Sequence, residues 1–412
     1  MNPLPMILAD LRGLKWIGPV VVVLIAVAVA VGIALGAQER AFRKASARAA
    51  DDFPLLIGAS GSASQLVLSA VYLRLEALPL VEGEALRRLA NDPRVERVAP
   101  IAFGDVVAGH PVIGATPDFA TRWGRLAVTE GRLFDHENEA VAGADAGFAV
   151  GDRLTPSHGH AGSPGADDAA SRAEEARHRH EGAEYRIVGR LAPTGGPWDR
   201  AVIVPVETVW ETHGLGDGHA ADGGPVGPPF DAERIPEVPA IVVKPKSFAA
   251  AYQLRSEWRR GATQALFPAE VLVELHSVLG DVERILLVAS ALDDGLVFLA
   301  VTALLVTVVG LRRRRYAVLR ALGAPRRFVL AVVWSVAAIL VALGCLAGLA
   351  LGWGAALAVS ALVAGHTGLG VPVTSGLPEL TWAGGVFLAG SLFALVPAVI
   401  AGRGDVVDGL AG

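Results

Sequence analysis

Four stretches of this sequence are apolar and long enough to cross a membrane as helices. A helix advances about 1.5 Å per residue, so about 20 apolar residues span the roughly 30 Å hydrocarbon core of a bilayer. Of the 412 residues, 52% are hydrophobic and 19% are charged, which is too apolar for an ordinary soluble protein. The predicted membrane helices are residues 16–36, residues 285–311 with a stalk at their start, residues 328–357 and residues 381–401.

The distribution of arginine sets the orientation of these helices. Residues 312–327 contain seven arginines and no acidic residue, whereas residues 358–380 contain no arginine or lysine. Short loops rich in positive charge stay in the cytoplasm. Residues 1–15, 312–327 and 402–412 are therefore predicted to be cytoplasmic, and residues 37–284 and 358–380 external. Basic residues also follow the first helix, and by themselves they would favour the opposite orientation. Charges that lead into a long translocated domain have less influence on orientation.

The first membrane helix has two interpretations. A cleaved signal peptide has an apolar region of about 7 to 15 residues. The apolar run here covers residues 16–36 and its basic flank is weak, which favours an uncleaved anchor.

Residues 37–284 carry mixed helix and strand patterns. Residues 82–91 have helical spacing and stop before Pro93. Runs rich in β-branched residues and bounded by Gly or Pro predict strands, namely residues 95–107, 112–115, 185–191 and 201–206. The predicted fold class is a membrane protein with four transmembrane α-helices and a large α+β extracytoplasmic domain between helices 1 and 2.

Two inserts of low complexity interrupt this domain. Residues 155–184 hold almost no large apolar residue, and residues 214–229 are rich in Gly and Pro, so both are expected to be exposed loops. The first insert contains His158, His160, His178 and His180 among several carboxylates. Imidazole and carboxylate suit Zn²⁺, although a solvated loop without metal explains the same composition. His213 and His219 are possible additional ligands.

Several classes of function are disfavoured by what the sequence lacks. No G-x-x-x-x-G-K-[ST], G-x-S-x-G or H-E-x-x-H motif occurs, so no common signature of nucleotide hydrolysis, acyl transfer or zinc proteolysis is present. The single cysteine, Cys345, excludes an intramolecular disulfide. A formal net charge of −5 gives no reason to expect a nucleic-acid partner. The chain is therefore predicted to be a non-catalytic membrane subunit.

The arginine-rich segment predicts a short helix on the cytoplasmic side. Tyr316, Leu319 and Leu322, together with Ala317 and Ala321, can share faces on an apolar side of that helix. Gly323 is predicted as its left-handed cap and Pro325 as its stop. A short helix with an apolar and a basic side suits the groove of a partner protein. The alternative is that the arginines only fix topology and bind membrane lipids.

Small residues recur at helical spacing in the third membrane helix. Gly344, Gly348 and Gly352 lie four residues apart and allow close helix packing where lipid gives no hydrophobic drive. The spacing of these glycines is equally consistent with helix packing within one subunit and with an interface between the two subunits of a dimer.

The sequence RRRRYAVLRALGAPRRFVL, residues 312–330, resembles the cytoplasmic loop of the MacB and FtsX-like ABC-transporter permeases. Residues 49–73, 89–107, 130–141 and 185–207 resemble successive parts of that family's external domain. The resemblance implies a dimeric permease of the bacterial inner membrane, with ATP hydrolysed by a separate P-loop ATPase. It also implies an ATPase-docking segment formed by Arg315, Tyr316, Val318, Leu319, Arg320, Leu322 and Gly323. Many members carry an acidic residue where this chain has Arg315.

The resemblance leaves three functions open. The chain is expected to serve as an ABC permease, as a transmembrane signal transmitter that activates an external hydrolase, or as a metal-binding receptor without an ATPase. Its external segments resemble a subset of permeases associated with zinc handling, so zinc-linked transport is a refinement of the first. Further possible partners are a periplasmic adaptor and a substrate-binding protein. No cofactor is expected apart from Zn²⁺ at the His-rich insert.

Overall fold

The computed structural model describes residues 2–74, 76–158, 183–220, 225–367, 373–374 and 376–403. The chain divides into two compact units. Met1–Phe42, Leu279–Ala361 and Pro372–Gly412 form the helical unit, and Arg43–Val278 with Leu362–Val371 forms the sheet unit.

The helical unit consists of helices, whereas the sheet unit contains the strands together with shorter helices. The described helices are α1 (Leu4–Gly13), α2 (Ile17–Ala50), α3 (Ala63–Ala70), α4 (Gly83–Ala90), α5 (Pro117–Ala120), α6 (Val206–Thr212), α7 (Phe248–Trp258), α8 (Pro268–Leu311), α9 (Arg313–Ala321), α10 (Arg326–Thr367), α11 (Leu377–Phe393) and α12 (Leu395–Arg403). The described strands are β1 (Leu55–Ala59), β2 (Val95–Val107), β3 (His110–Ala115), β4 (Val128–Gly131), β5 (Glu139–Ala142), β6 (Arg153–Leu154), β7 (Ser157–His158), β8 (Tyr185–Leu191), β9 (Val202–Pro205), β10 (Ala240–Pro245) and β11 (Thr263–Leu266).

Four helical segments are long and apolar enough to cross a membrane, which confirms the predicted number. They are Ile17–Ala50, Val288–Leu311, Arg326–Ala364 and Leu377–Arg403. The predicted stalk is part of one unbroken helix, because α8 has 44 residues and a length of about 66 Å. The 42 residues of α10 likewise exceed what one crossing requires.

The sheet unit is built on one mixed sheet. Within the described residues its strand order is β11-β1-β10-β2-β3-β9-β5-β8-β4, with β6 added to β8 and β7 added to β2. Most neighbours are antiparallel, while β3 with β9 and β5 with β8 are parallel. The predicted strands 95–107 and 185–191 agree with β2 and β8 at both ends, and the helix predicted at 82–91 is α4.

An apolar core lies on each face of this sheet. Leu55 and Ile57 of β1 enter one apolar core, whereas Leu56 between them enters the other. Successive side chains of a strand point to opposite faces, so a strand buried on both sides is continuously apolar. This explains why β1, with the sequence LLIGA, lacks the alternation of a half-exposed strand.

One expectation for the second insert is wrong. The composition of residues 214–229 predicts exposure throughout, but Asp217 and His219 are each only 7% exposed. The Trp210 ring packs against Phe230, with ring centroids 5.3 Å apart, and a Cβ at Gly218 would lie 2.9 Å from that indole. Aromatic contact on both sides therefore folds part of this Gly-rich segment into the domain.

Candidate functional site

The arginine-rich segment folds as a short helix between α8 and α10. Its helix, α9, ends in a Schellman motif, because the Gly323 amide donates to Arg320 and the Ala324 amide donates to Leu319. Gly323 has a φ of +97°, a left-handed conformation that glycine adopts without strain. The cap and the stop therefore lie where the sequence predicts them.

One side of α9 is packed against the helical unit. Tyr316 and Ala317 are 7% and 5% exposed, and Leu319 is partly buried. Tyr316 and Leu319 join an apolar cluster that includes Val333 of α10 and Ala398 of α12. The inward side of α9 is thus fixed by the ends of the membrane helices.

A buried carboxylate from the N-terminal helix also holds α9. Asp10 of α1 is 2% exposed, and its Oδ1 accepts from Arg312 at 3.3 Å and from Arg315 at 3.1 Å. Its Oδ2 accepts from the Tyr316 hydroxyl at 3.4 Å. Sequence reasoning missed Asp10, although a single acidic residue in the otherwise apolar and basic run MILADLRGLK was the available signal.

The other side of α9 faces away from the bundle. Leu322 is 79% exposed and Val318 is 42% exposed, while Arg313 and Arg314 are exposed beside them. The expectation that Tyr316, Leu319 and Leu322 share one face is therefore wrong. Residues three apart on a helix differ by about 300° in direction, so each step turns the side chain by about 60° and Leu322 leaves the packed side.

The glycines of α10 contact α2 of the same chain. A Cβ at Gly344 would lie 2.7 Å from Ile25 Cβ, and a Cβ at Gly348 would lie 2.6 Å from Val29 Cβ. A Cβ at Gly352 would lie 2.9 Å from the Ala30 carbonyl oxygen. Of the two alternatives for this stripe, the geometry matches packing within one subunit.

The helices α2 and α11 are joined by a charge pair. Arg40 donates to a carboxylate oxygen of Glu379, which is 6% exposed, and the other oxygen accepts from the Gly376 amide at 2.9 Å. Arg40 belongs to the basic residues after the first membrane helix. The positive charge of Arg40 is therefore paired with the Glu379 carboxylate of the same chain.

The predicted histidine site lies mostly outside the described residues. His160, His178 and His180 fall there, and only the backbone of His158 is described, where it pairs with Asp105 of β2. His213 lies near the same strand, with Nε2 3.9 Å from Asp105 Oδ1.

Three carboxylates form an acidic cluster in the sheet unit. Oxygen atoms of Glu137, Glu211 and Asp217 lie within 4.8 Å of one another. Burial and the neighbouring Glu211 carboxylate hold the pKa of Glu137 above its usual value. Sequence reasoning missed this cluster because its members come from separate segments, and only the spacing of Glu207 and Glu211 by four residues hinted at a shared helix face.

Two families of known sequence match this chain. The family described as MacB-like periplasmic core domain matches residues 20–260, which is more than half of the chain. The family described as FtsX-like permease C-terminal matches residues 295–404. No curated protein sequence matches the chain.

The solved structures that match part of this chain include two extracytoplasmic regions. The periplasmic region of MacB from Actinobacillus actinomycetemcomitans is 11% identical with a TM-score of 0.31, covering 55% of this chain and 94% of that one. The extracellular domain of the noncanonic ABC-type transporter YknZ from Gram-positive bacteria is 12% identical with a TM-score of 0.30, covering 52% and 98%.

The two family matches agree with the order of the structural parts. The MacB-like match begins in the first membrane helix and includes most of the sheet unit, and the FtsX-like match includes the last three membrane segments. The domain between the first and second helices is extracytoplasmic, so α9, one crossing further along, is cytoplasmic. This multi-pass membrane protein belongs to the MacB/FtsX-like family of ABC-transporter permeases, the non-catalytic membrane components of ABC systems.

Proposed function

We propose that this chain couples ATP hydrolysis by a separate ATPase to motion of its extracytoplasmic domain, and that it works as a homodimer. The observation that carries the proposal is α9, a capped cytoplasmic helix with one side packed and the other exposed. We call residues 313–323 the docking helix. Family membership supports an ATPase partner, since this chain contains no P-loop of its own.

The docking helix has the features that transmission of force requires. Asp10 and the cluster around Tyr316 hold its inward side, so a push on the outer side moves the membrane helices rather than deforming a loop. The exposed side presents Leu322 and Val318 beside Arg313 and Arg314. An apolar centre flanked by arginine is the composition of a protein interface.

The length of α8 offers a route from the cytoplasmic side to the outer domain. One unbroken helix runs from Pro268, next to β11, to Leu311, next to the docking helix. A continuous helix carries a displacement of one end to the other without an intervening loop. We propose that α8 conveys ATPase closure in this way.

The test is capture of the ATPase by the purified full-length chain. The wild-type protein is expected to retain a P-loop ATPase identified by mass spectrometry, and Leu322→Asp is expected to lose it. The matched control is Leu215→Asp, because Leu215 is also exposed, at 51%, but lies in the extracytoplasmic sheet unit. Equal capture by both variants would contradict the docking assignment.

We also propose zinc as the substrate or signal linked to this system. The support is the histidine content of residues 155–184 and the resemblance of the external segments to zinc-associated permeases. Full-length protein with His158, His160, His178 and His180 all changed to Asn is expected to bind fewer Zn²⁺ ions than the wild type. Equal Zn²⁺ stoichiometry in the two proteins would remove the insert from the proposal.

A further inference from the structure

The acidic cluster of the sheet unit brings together three segments of the chain. Glu137 precedes β5, Glu211 lies in α6, and Asp217 lies in the loop after α6. The Thr208 hydroxyl of α6 donates to the Glu137 carbonyl, which fixes the first segment against the helix. The three carboxylates are therefore held together by the fold and not by chance approach of flexible side chains.

The separation of the oxygens suits one shared ion. A divalent cation holds oxygen ligands at about 2.0 to 2.6 Å, so any two ligands of one ion lie at most about 5 Å apart. The oxygens of Glu137, Glu211 and Asp217 are all within 4.8 Å of one another. The three oxygens are therefore close enough that side-chain adjustment would bring them to a common cation.

The negative charge of the cluster is not matched by basic side chains. Within the described part of the chain, no lysine or arginine forms an ion pair with Glu137, Glu211 or Asp217. Arg234 lies beside the segment that carries Asp217. Its guanidinium donates to the backbone carbonyl of His219 and lies 4.0 Å from the Asp231 carboxylate. Like charges in close contact repel unless a proton or a cation intervenes.

Buried polar atoms beside the cluster also lack partners. Asp217 Oδ1 accepts from the His219 amide at 2.9 Å, but Asp217 Oδ2 has no hydrogen-bond partner among the described residues. Glu207 is fully buried one helical turn before Glu211, and its Oε2 has no partner in the described residues either. A buried polar atom without a partner is unfavourable, so each such atom calls for a hydrogen-bond partner, a water molecule or an ion.

A histidine lies at the edge of the same group. His219 is 7% exposed, and its Nε2 is 3.5 Å from Glu207 Oε1 without a hydrogen-bond partner in the part of the chain that the structure describes. A ring nitrogen in this position is available to a metal ion directly or through a water molecule.

We propose that Glu137, Glu211 and Asp217 bind a divalent cation, with Glu207 and His219 as supporting groups. Three carboxylates form a hard donor set, which favours Mn²⁺ or Ca²⁺. Glu211 is exposed, so water completes the coordination from the solvent side. This proposal uses none of the histidines of residues 155–184 and does not depend on the proposed function.

The test is Mn²⁺ binding by the full-length protein in detergent after chelator treatment. Free Mn²⁺ is measured by electron paramagnetic resonance during titration, and Ca²⁺ is then added as a competitor. The wild type is expected to show one saturable Mn²⁺ site per chain that Ca²⁺ displaces. Glu211→Gln and Asp217→Asn are each expected to weaken Mn²⁺ binding by about tenfold or more.

Two control variants test whether Mn²⁺ occupies this cluster and not another acidic or histidine-rich segment. Glu233→Gln removes one exposed carboxylate from a neighbouring segment and is expected to leave the affinity unchanged. The variant with His158, His160, His178 and His180 changed to Asn is expected to keep the Mn²⁺ site. Loss of Mn²⁺ binding in the histidine variant, with binding retained in both carboxylate variants, would overturn the proposal.

Thermal unfolding in chelator provides the folding control. Asp217→Asn removes a repulsive charge, so its melting temperature without metal is expected to equal or exceed that of the wild type. Added Mn²⁺ is expected to raise the melting temperature of the wild type and of the two control variants more than that of Glu211→Gln or Asp217→Asn, because a ligand stabilises the state that binds it. Glu211 is exposed, so Glu211→Gln tests the site even if Asp217→Asn prevents folding. Absence of any Mn²⁺-dependent shift in the wild type would also overturn the proposal.

Discussion

Asp10 of α1 accepts a 3.1 Å hydrogen bond from the guanidinium of Arg315 on the docking helix. The structure pairs that arginine with a carboxylate from the N-terminal helix, which is itself 2% exposed. Arg315 therefore has an acidic partner within the same chain, and α1 becomes part of the support of the docking helix.

Removal of the Asp10 charge is expected to loosen the docking helix. Asp10→Asn leaves Arg312 and Arg315 without their carboxylate, at an expected cost of about 1.5 to 3 kcal/mol. Hydrogen exchange of residues 313–321 should become faster in this variant. Arg313→Gln, at an exposed position of the same helix, is the control and should exchange like the wild type.

The two leucines of the docking helix should respond differently to a charge. Leu319→Asp places a carboxylate in the cluster with Tyr316 and is expected to destabilise the protein by at least about 2 kcal/mol. Leu322→Asp changes a side chain that is 79% exposed and should leave stability within about 0.5 kcal/mol. Thermal unfolding in detergent measures both, and equal losses would contradict the assigned faces.

The packing of α10 on α2 predicts a strong dependence on glycine. Gly348→Ala adds a Cβ 2.6 Å from Val29 Cβ and 2.8 Å from the Ala26 carbonyl oxygen, which should destabilise the helical unit by about 1 to 3 kcal/mol. Gly354→Ala is the matched control in the same helix, since its Cβ meets nothing within 4 Å. Unfolding in a denaturing detergent compares them, and a tolerated Gly348→Ala would argue against this contact.

A buried arginine should stabilise the sheet unit far more than its exposed neighbour. Arg122 is 3% exposed, pairs with Asp52 at 3.2 Å and lies 4.2 Å from the Trp198 ring. Burial lowers the pKa of Arg122 to about 10, so it remains charged at pH 7. Arg122→Ala is expected to cost about 1.5 to 3 kcal/mol because it removes a hydrogen-bonded charge that is packed against aromatic rings.

The control for this variant uses the same carboxylate. Arg125 also pairs with Asp52, at 2.6 Å, but its side chain is 60% exposed. Arg125→Ala should therefore cost less than about 1 kcal/mol. Urea unfolding followed by tryptophan fluorescence measures both losses, and similar values would show that burial does not decide the effect.

An ion pair in the loop after α4 should make the stability of the folded state depend on pH in the acidic range. Hydrogen bonds from the Arg94 side chain, at 2.6 and 2.9 Å, hold the pKa of Asp92 below its usual 3.8. A carboxyl group with a lowered pKa stabilises the folded state above pH 3.8, and this contribution is lost as the pH falls through the lowered value.

Replacement of Asp92 should remove that dependence. Asp92→Asn is expected to lower the free energy of unfolding at pH 7 by about 1 to 2 kcal/mol. Its deficit relative to the wild type should shrink below pH 3.8, where Asp92 of the unfolded chain becomes protonated while that of the folded protein is still charged. Urea unfolding at pH 7 and pH 3 measures this difference, and an equal deficit at both values would contradict it.

The sequence predicted local features well and assembled features poorly. The strands at 95–107 and 185–191 and the cap at Gly323 depend on neighbouring residues, and the structure places them where expected. The shared face of Leu319 and Leu322 was wrong, because the packed side of a short helix depends on what surrounds it. Asp10 was missed since its partners lie about 300 residues away.

The sequence by itself determined the four membrane helices, their orientation and the family, because apolar length, arginine position and a short motif are all read along the chain. Only the tertiary structure decided which side of the docking helix is free, which helix the Gly348 stripe contacts and which carboxylates meet. Those outcomes depend on distances between segments far apart in sequence. Long-range packing sets these distances, and no local pattern of residues encodes them.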